Sequence, residues 1–233
     1  MPNEILLILN LIVIYGAVII FYRLFGKAGL YTWTVFATIT ANIEVLLLVD
    51  AFGFEQTLGN IMFASTFLVT DILSENHSKK EANKAVGIGV AVSFMLIIVT
   101  KFWLSFTPSA NDFAYEGFEI VFSNTPRVLF AGFAVYAAAQ AFDVWLYHRI
   151  WEFTNRKSGD RRGFLWLRNN LATLLSQLIN AVLFNVLAFG GTYETATILS
   201  IITSTYIIYI VAALLDTPAV YLARKSYQKG KIS

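Results

Sequence analysis

The sequence predicts an all-α bundle of transmembrane helices. Of its 233 residues, 57% are hydrophobic and only 14% are charged, more apolar surface than a soluble chain of this size can bury. Several apolar runs are roughly 20 residues long, the length that crosses a hydrocarbon core of ~30 Å at ~1.5 Å per residue. Basic residues also cluster on alternate connections, as topology demands of a multi-pass protein. The whole chain, residues 1–233, reads as a single integral membrane domain.

Seven spans can be drawn: Glu4–Phe25, Leu30–Ala51, Thr57–Ser74, Lys84–Phe106, Thr125–Trp151, Phe164–Phe189 and Thr195–Leu222. Six is the alternative count. The first follows Met1-Pro2-Asn3-Glu4, which lacks the basic start of a signal peptide, so it reads as a retained helix. Fifteen of the 17 Lys and Arg fall on alternate connections, the exceptions being Lys101 and Arg127. This places the N-terminus outside and the C-terminus in the cytoplasm; an even number of spans would leave one cluster on the wrong side. Trp33, Trp151 and Trp166 fall at predicted inner ends and Trp103 near an outer end, where indoles favour the interface. Lys101 is expected to snorkel to the headgroups. The longest outer connection, Thr107–Asn124, suits an interfacial helix or a lid. Thr125-Pro126 reads as a helix start.

Several chemistries are excluded. Without cysteine there is no disulfide or thiolate chemistry. A net charge of +2 is too small to suggest nucleic acid. No phosphate-binding G-x-x-x-x-G-K-[ST] or H-E-x-x-H occurs, no catalytic or metal site is expected, and no cofactor is implied. His77 and His148 are expected to be solvated.

Four acids fall within spans, Glu44, Asp71, Asp143 and Asp216. Each costs about 2.5–3.5 kcal/mol at a helix centre and needs a partner or water. Asp71 and Asp216 lie near inner ends, where they can reach headgroups or pair with Lys79 or Arg224. Glu44 and Asp143 read as deeper. In the sixth span, Asn169, Thr173, Ser176 and Asn180 form one helical stripe, with Gln177 at its border. Such a stripe can simply hydrogen-bond between helices. Its length, and the matching Gln140 and Asp143 of the fifth span, favour a site at mid-membrane, with Tyr136 as an aromatic wall. A carboxylate accepts two parallel N–H bonds and amides both donate and accept, so the site suits a flat, nitrogen-rich, purine-like base.

The segments VTDILSENHSKKEA (69–82), PRVLFAGFAVYAAAQAFDVWLYHRIWEFT (126–154), WLRNNLATLLSQLINAVLF (166–184) and LLDTPAVYLAR (214–224) resemble the queuosine precursor transporter family, also called vitamin-uptake-transporter-like. The resemblance covers the third to seventh spans. It implies uptake of deazaguanine bases, the cyano or aminomethyl precursors of a modified tRNA nucleoside, across the bacterial inner (plasma) membrane. Its motif positions are here Asp71, Arg127, Gln140, Asp143, Arg168, Asn169, Asn170, Gln177 and Asp216. Two positions depart from the family: Asn180 stands where an acid is usual, and Ser78 where glycine is. Without an acid at Asn180, Asp143 is left as the only carboxylate of its pair, and weak dependence on the proton gradient is expected. The alternatives are a substrate-capture subunit that needs a separate ATPase module, and an intramembrane lipid-modifying enzyme, for which no nucleophile or metal set is found. A homo-oligomer is compatible with the sequence.

Overall fold

In the computed structural model, all residues are described except 1, 124–125, 161–162, 192 and 231–233, together with the side chains of 54–55 and 126–129. The elements are α1 (Asn3–Glu44), β1 (Leu48–Ala51), β2 (Phe54–Thr57), α2 (Gly59–Asn76), α3 (Lys79–Ser105), α4 (Tyr115–Phe122), α5 (Pro126–Ser158), α6 (Leu165–Phe189) and α7 (Thr195–Gln228). Among the described residues the fold is all-α apart from one small hairpin. Among the described residues four helices, α1, α3, α6 and α7, are long and apolar enough by composition to cross a membrane.

α1 is two antiparallel arms, which correspond to the first two predicted spans. Gly26 breaks the helix with φ 57° and ψ −139°, in the region that favours glycine. The turn is tight enough to bring Phe21 and Trp33 into edge contact at 5.5 Å. At the far end, Asn3 Nδ2 donates to the Asp50 carbonyl, and the Phe52 amide donates to Glu4 Oε1. The start of the first arm thus lies beside the chain that follows the second. The first arm buries Leu7, Leu11, Ile14, Tyr15, Val18, Ile19 and Tyr22, a stripe at helical spacing.

The second span was expected to run to Ala51, but its helix ends at Glu44. The residues beyond it pair as a hairpin, with Leu48 opposite Thr57 and Ala51 opposite Phe54. Phe52 and Gly53 both have positive φ, as a two-residue turn between twisted strands requires. The apolar run Val45–Val49 reads equally as the end of a helix or as a short strand.

α2 is the hub. It packs against α1, α3, α5 and α7, and every residue of it except Phe63 and Glu75 is buried. That enclosure explains how it tolerates Asn60, Ser65, Thr66, Thr70, Asp71 and Ser74. α6 turns Leu171, Leu175, Leu178, Val182 and Leu183 outward while burying Asn169, Thr173, Ser176 and Asn180. α4 folds back on the end of α3, with Trp103 against Phe118 at 5.9 Å and Phe122 at 5.8 Å. A short helix is present in this connection, and it packs against α3. Trp33 was expected at the interface, but is buried and donates from Nε1 to Ser65 Oγ at 2.9 Å. Thr125 and the Arg127 side chain lie outside the described residues and side chains.

Candidate functional site between α2, α5, α6 and α7

Three buried carboxylates converge at the centre of the bundle. Asp71 of α2, Asp143 of α5 and Asp216 of α7 are all at most 1% exposed. Asp71 interacts with Asp143 and with Asp216, and Asp216 with Asp143. Adjacent turns of α6 hold two of them: the Thr173 hydroxyl donates to Asp71 Oδ2 at 3.1 Å, and the Ser176 hydroxyl to Asp143 Oδ1 at 2.8 Å. The remaining oxygens, Asp71 Oδ1, Asp143 Oδ2 and both of Asp216, have no hydrogen-bond partner. Tyr15 of the first arm lies beside Asp216 and interacts with it. None of the described ion pairs includes any of the three acids.

Amides on the same face of α6 are equally unsatisfied. Asn169 has neither polar atom bonded and Gln177 has a free Oε1, although both are buried. They sit one turn to either side of Thr173. Buried polar groups are normally bonded, so this concentration of unpaired acceptors and amides sets the region apart from the rest of the core.

Two layers enclose the acids along the bundle axis. On the hairpin side, Phe63 lies against Tyr136 at 5.7 Å and Tyr209 at 6.4 Å. Asn180 Nδ2 donates to the Tyr209 hydroxyl at 3.2 Å, which in turn reaches Asn60 Oδ1 at 3.3 Å. Gln140 Nε2 donates to Thr66 Oγ1 at 2.5 Å, and its Oε1 accepts from Thr70 at 3.3 Å. Tyr136 fits only because α3 has Gly89 opposite: a Cβ there would lie 2.0 Å from the tyrosine oxygen.

On the opposite side, a charged lock closes the bundle. Glu75 Oε2 accepts from Arg168 Nε at 3.0 Å, Arg168 Nη2 at 2.6 Å and the Tyr147 hydroxyl at 2.8 Å. Glu75 Oε1 pairs with Arg224 Nη1 at 3.3 Å. Arg168 Nη1 donates to the Gly163 carbonyl at 2.6 Å, and its guanidinium stacks over Trp151 at 4.3 Å. Arg168 is wholly buried, and a buried charge is tolerated only when paired and bonded in this way.

The chain matches the family described as "Putative vitamin uptake transporter" over residues 57–223, from β2 to the last turns of α7. It belongs to that transporter family. It is also 36% identical over 208 residues to the "Probable queuosine precursor transporter" of Bacillus subtilis (strain 168), covering 89% of each chain. No solved structure matches it. Membership in this family, with the apolar helices, makes the chain a multi-pass membrane protein of a transporter family.

Within this transporter, the residues singled out by sequence separate into three groups. Asp71, Asp143, Thr173, Asp216, Asn169 and Gln177 form the central cluster. Gln140, Tyr136 and Asn180 belong to the layer beside it, engaged by Thr66 and Thr70, by Phe63, and by Tyr209. Asn170 and Glu44 stand apart. Asn170 Nδ2 ties α6 to Thr217 of α7 at 2.6 Å, and Glu44 is the partly exposed last residue of α1.

Four expectations are corrected. Asp71 and Asp216 do not reach headgroups; α2 is enclosed by its neighbours, and both acids meet Asp143 in the core. Glu44 is not deep within a span, because the helix ends on it. Asp143 is not a solitary carboxylate: Asp71, rather than the residue at 180, supplies its neighbour, which removes the reason to expect weak proton coupling. His77 and His148 are only partly exposed and have aromatic neighbours. His77 bonds the Tyr22 hydroxyl at 2.9 Å and packs on Tyr227 at 5.0 Å, while His148 stacks on Trp151 at 5.8 Å. Sequence reasoning missed Glu75, which lies among charged residues at the end of α2 and reads as part of a loop.

Proposed function

We propose that this chain is a carrier that takes up deazaguanine bases, precursors of queuosine, through the site between α2, α5, α6 and α7, and that it is not an enzyme. The observation that carries this reading is the set of buried, unpartnered oxygens on Asp71, Asp143 and Asp216 beside the free amide of Asn169. A guanine-like edge offers a ring N–H and an exocyclic amine side by side, which one carboxylate accepts through both oxygens. Asp216 has both available. Asn169 can donate to the ring carbonyl. The name of the Bacillus subtilis relative supports the same ligand class.

The aromatic layer and the charged lock would act as alternating barriers on either side of the site, as expected of a carrier whose binding groups lie near the midplane. The locked end carries Arg23, Lys27, Lys225 and Lys229, and by the positive-inside rule it faces the cytoplasm of the inner membrane.

The test is uptake of labelled deazaguanine base into proteoliposomes that contain the purified chain alone. Uptake without ATP or any other protein is the expected result. Uptake that appears only when an ATPase module is added would replace the carrier with a substrate-capture subunit.

A further inference from the structure

We propose that the groove between the first arm of α1 and the end of α7 binds the phosphate headgroup of an anionic phospholipid. This site is separate from the acid cluster and stands whichever base is carried. The two helices run side by side in the same direction. Tyr15 interacts with Asp216, and roughly two to three turns further on Arg23 Nε donates to the buried Ser226 Oγ at 3.1 Å. A cavity of about 370 Å³ opens there, lined by Arg23, Leu222, Lys225, Ser226 and Lys229. A second groove, of about 790 Å³, shares Leu222 and Lys225 with it and reaches Pro218 and Tyr221, back along α7 towards the membrane interior. The first offers a place for a headgroup, and the second a path past Leu222, Tyr221 and Pro218 for its acyl chains.

Charge points the same way. α1 has no acid between Glu4 and Glu44, and α7 has none after Asp216, so neither helix neutralises the three cations that line the cavity. None of the described ion pairs includes Arg23, Lys225 or Lys229, whereas Lys27 pairs with Glu81 and Arg224 with Glu75. Lys225 and Lys229 stand four residues apart on one face of α7, where like charges repel unless an anion lies between them. Ser226 fixes Arg23 through Nε alone. The two terminal nitrogens of Arg23 take part in no described hydrogen bond or ion pair, and they remain for a second acceptor. A phosphate accepts from a guanidinium fork and from ammonium groups together. The phosphate belongs to a lipid rather than to a free ion, because Leu222 borders the cations and the exposed Ile20 and Leu24 flank Arg23 along α1. Basic pockets between transmembrane helices on the cytoplasmic side recognise such headgroups.

The experiment titrates the purified full chain in non-ionic detergent with phosphatidylglycerol, phosphatidylcholine and inorganic phosphate. Bound lipid is read by native mass spectrometry and by the melting temperature. Phosphatidylglycerol is expected to bind at least ~10-fold tighter than phosphatidylcholine, from the attraction of several basic residues, and to raise the melting temperature as a ligand of the folded chain does. Inorganic phosphate should not displace it. Lys225→Gln with Lys229→Gln keeps the Arg23–Ser226 bond and should weaken phosphatidylglycerol binding on the order of 20- to 30-fold, at roughly five-fold per basic residue. Lys80→Gln with Lys157→Gln removes the same charge from exposed positions outside the cavity and should leave binding near the wild-type value. Equal affinity for the two lipids would overturn the proposal, and displacement by inorganic phosphate would make the groove a free-anion site instead. Equal losses in the two double variants would reduce the effect to diffuse attraction and overturn it as well. The lipid comparison on the wild type decides the matter even where a variant fails to fold, and none of these outcomes bears on the deazaguanine reading.

Discussion

Arg168 of α6 donates from both Nε and Nη2 to a single oxygen of Glu75 in α2, at 3.0 Å and 2.6 Å. Tyr147 of α5 and Arg224 of α7 reach the same carboxylate, so four helices meet at one residue. All of them also contribute to the acid cluster or its hydroxyl ligands, so the lock and the cluster are carried by the same four helices.

Glu75→Gln should leave Arg168 buried without its countercharge. Loss of one partner of a buried pair costs about 3–5 kcal/mol. The expected outcome is a clear drop in thermal stability in detergent together with reduced uptake. Arg224→Gln removes the longer contact and should cost less, though not nothing. A Glu75→Gln protein with unchanged melting and transport would show that the lock has no role.

Asp143→Asn keeps the side-chain shape but puts an amide where the ligand's donors arrive. Membrane insertion should be normal and uptake severely reduced. Ser176→Ala, which frees the Asp143 oxygen that it now holds, should cost only about 1 kcal/mol, a several-fold loss of affinity. Uptake at the wild-type rate in Asp143→Asn would make the residue structural.

Gly89→Ala places a methyl 2.0 Å from the Tyr136 oxygen. It should destabilise the α3–α5 contact, and Tyr136→Ala in the same chain should recover part of the loss, because contacting residues are non-additive. Additive losses would place the clash elsewhere.

The polar stripe of α6 is legible in the sequence because period and residue type agree over three turns, from Asn169 to Asn180. The crossing helices are legible for the same reason, and Gly26 with Lys27 marks the break between the two arms of α1. Three things are not legible. The meeting of Asp71, Asp143 and Asp216 depends on which helices neighbour α2, and spacing along one chain does not fix that. The hairpin at Leu48–Thr57 is hidden because Val45–Val49 continues the apolar pattern of the span before it. Glu75 is hidden by its charged neighbours, since only the folded chain separates it from Lys79 and Lys80 and gives it to Arg168.

His77, in the connection between α2 and α3, gives a pH dependence. Burial, with a further contribution from Lys27 and an opposing one from Glu81, lowers its pKa below the ordinary 6.5. Tyr22 and Tyr227 are its aromatic neighbours. The folded state favours the neutral ring. Its stabilisation is therefore present above pH 6.5 and declines as the pH falls through the window between 6.5 and the lowered value. Melting temperatures should fall on acidification more in the wild type than in His77→Gln. Parallel profiles would remove His77 as a contributor.

The most direct test of the central claim is a binding panel on the purified chain that compares deazaguanine bases with adenine and riboflavin. A site that satisfies its buried acceptors only with a guanine-like edge should favour the deazaguanines over adenine by at least ~100-fold, because a mismatched base leaves buried groups unpaired. Riboflavin should not compete. Adenine or riboflavin binding as tightly as the deazaguanines would contradict the assignment of the Asp71–Asp143–Asp216 region as a site for this class of ligand.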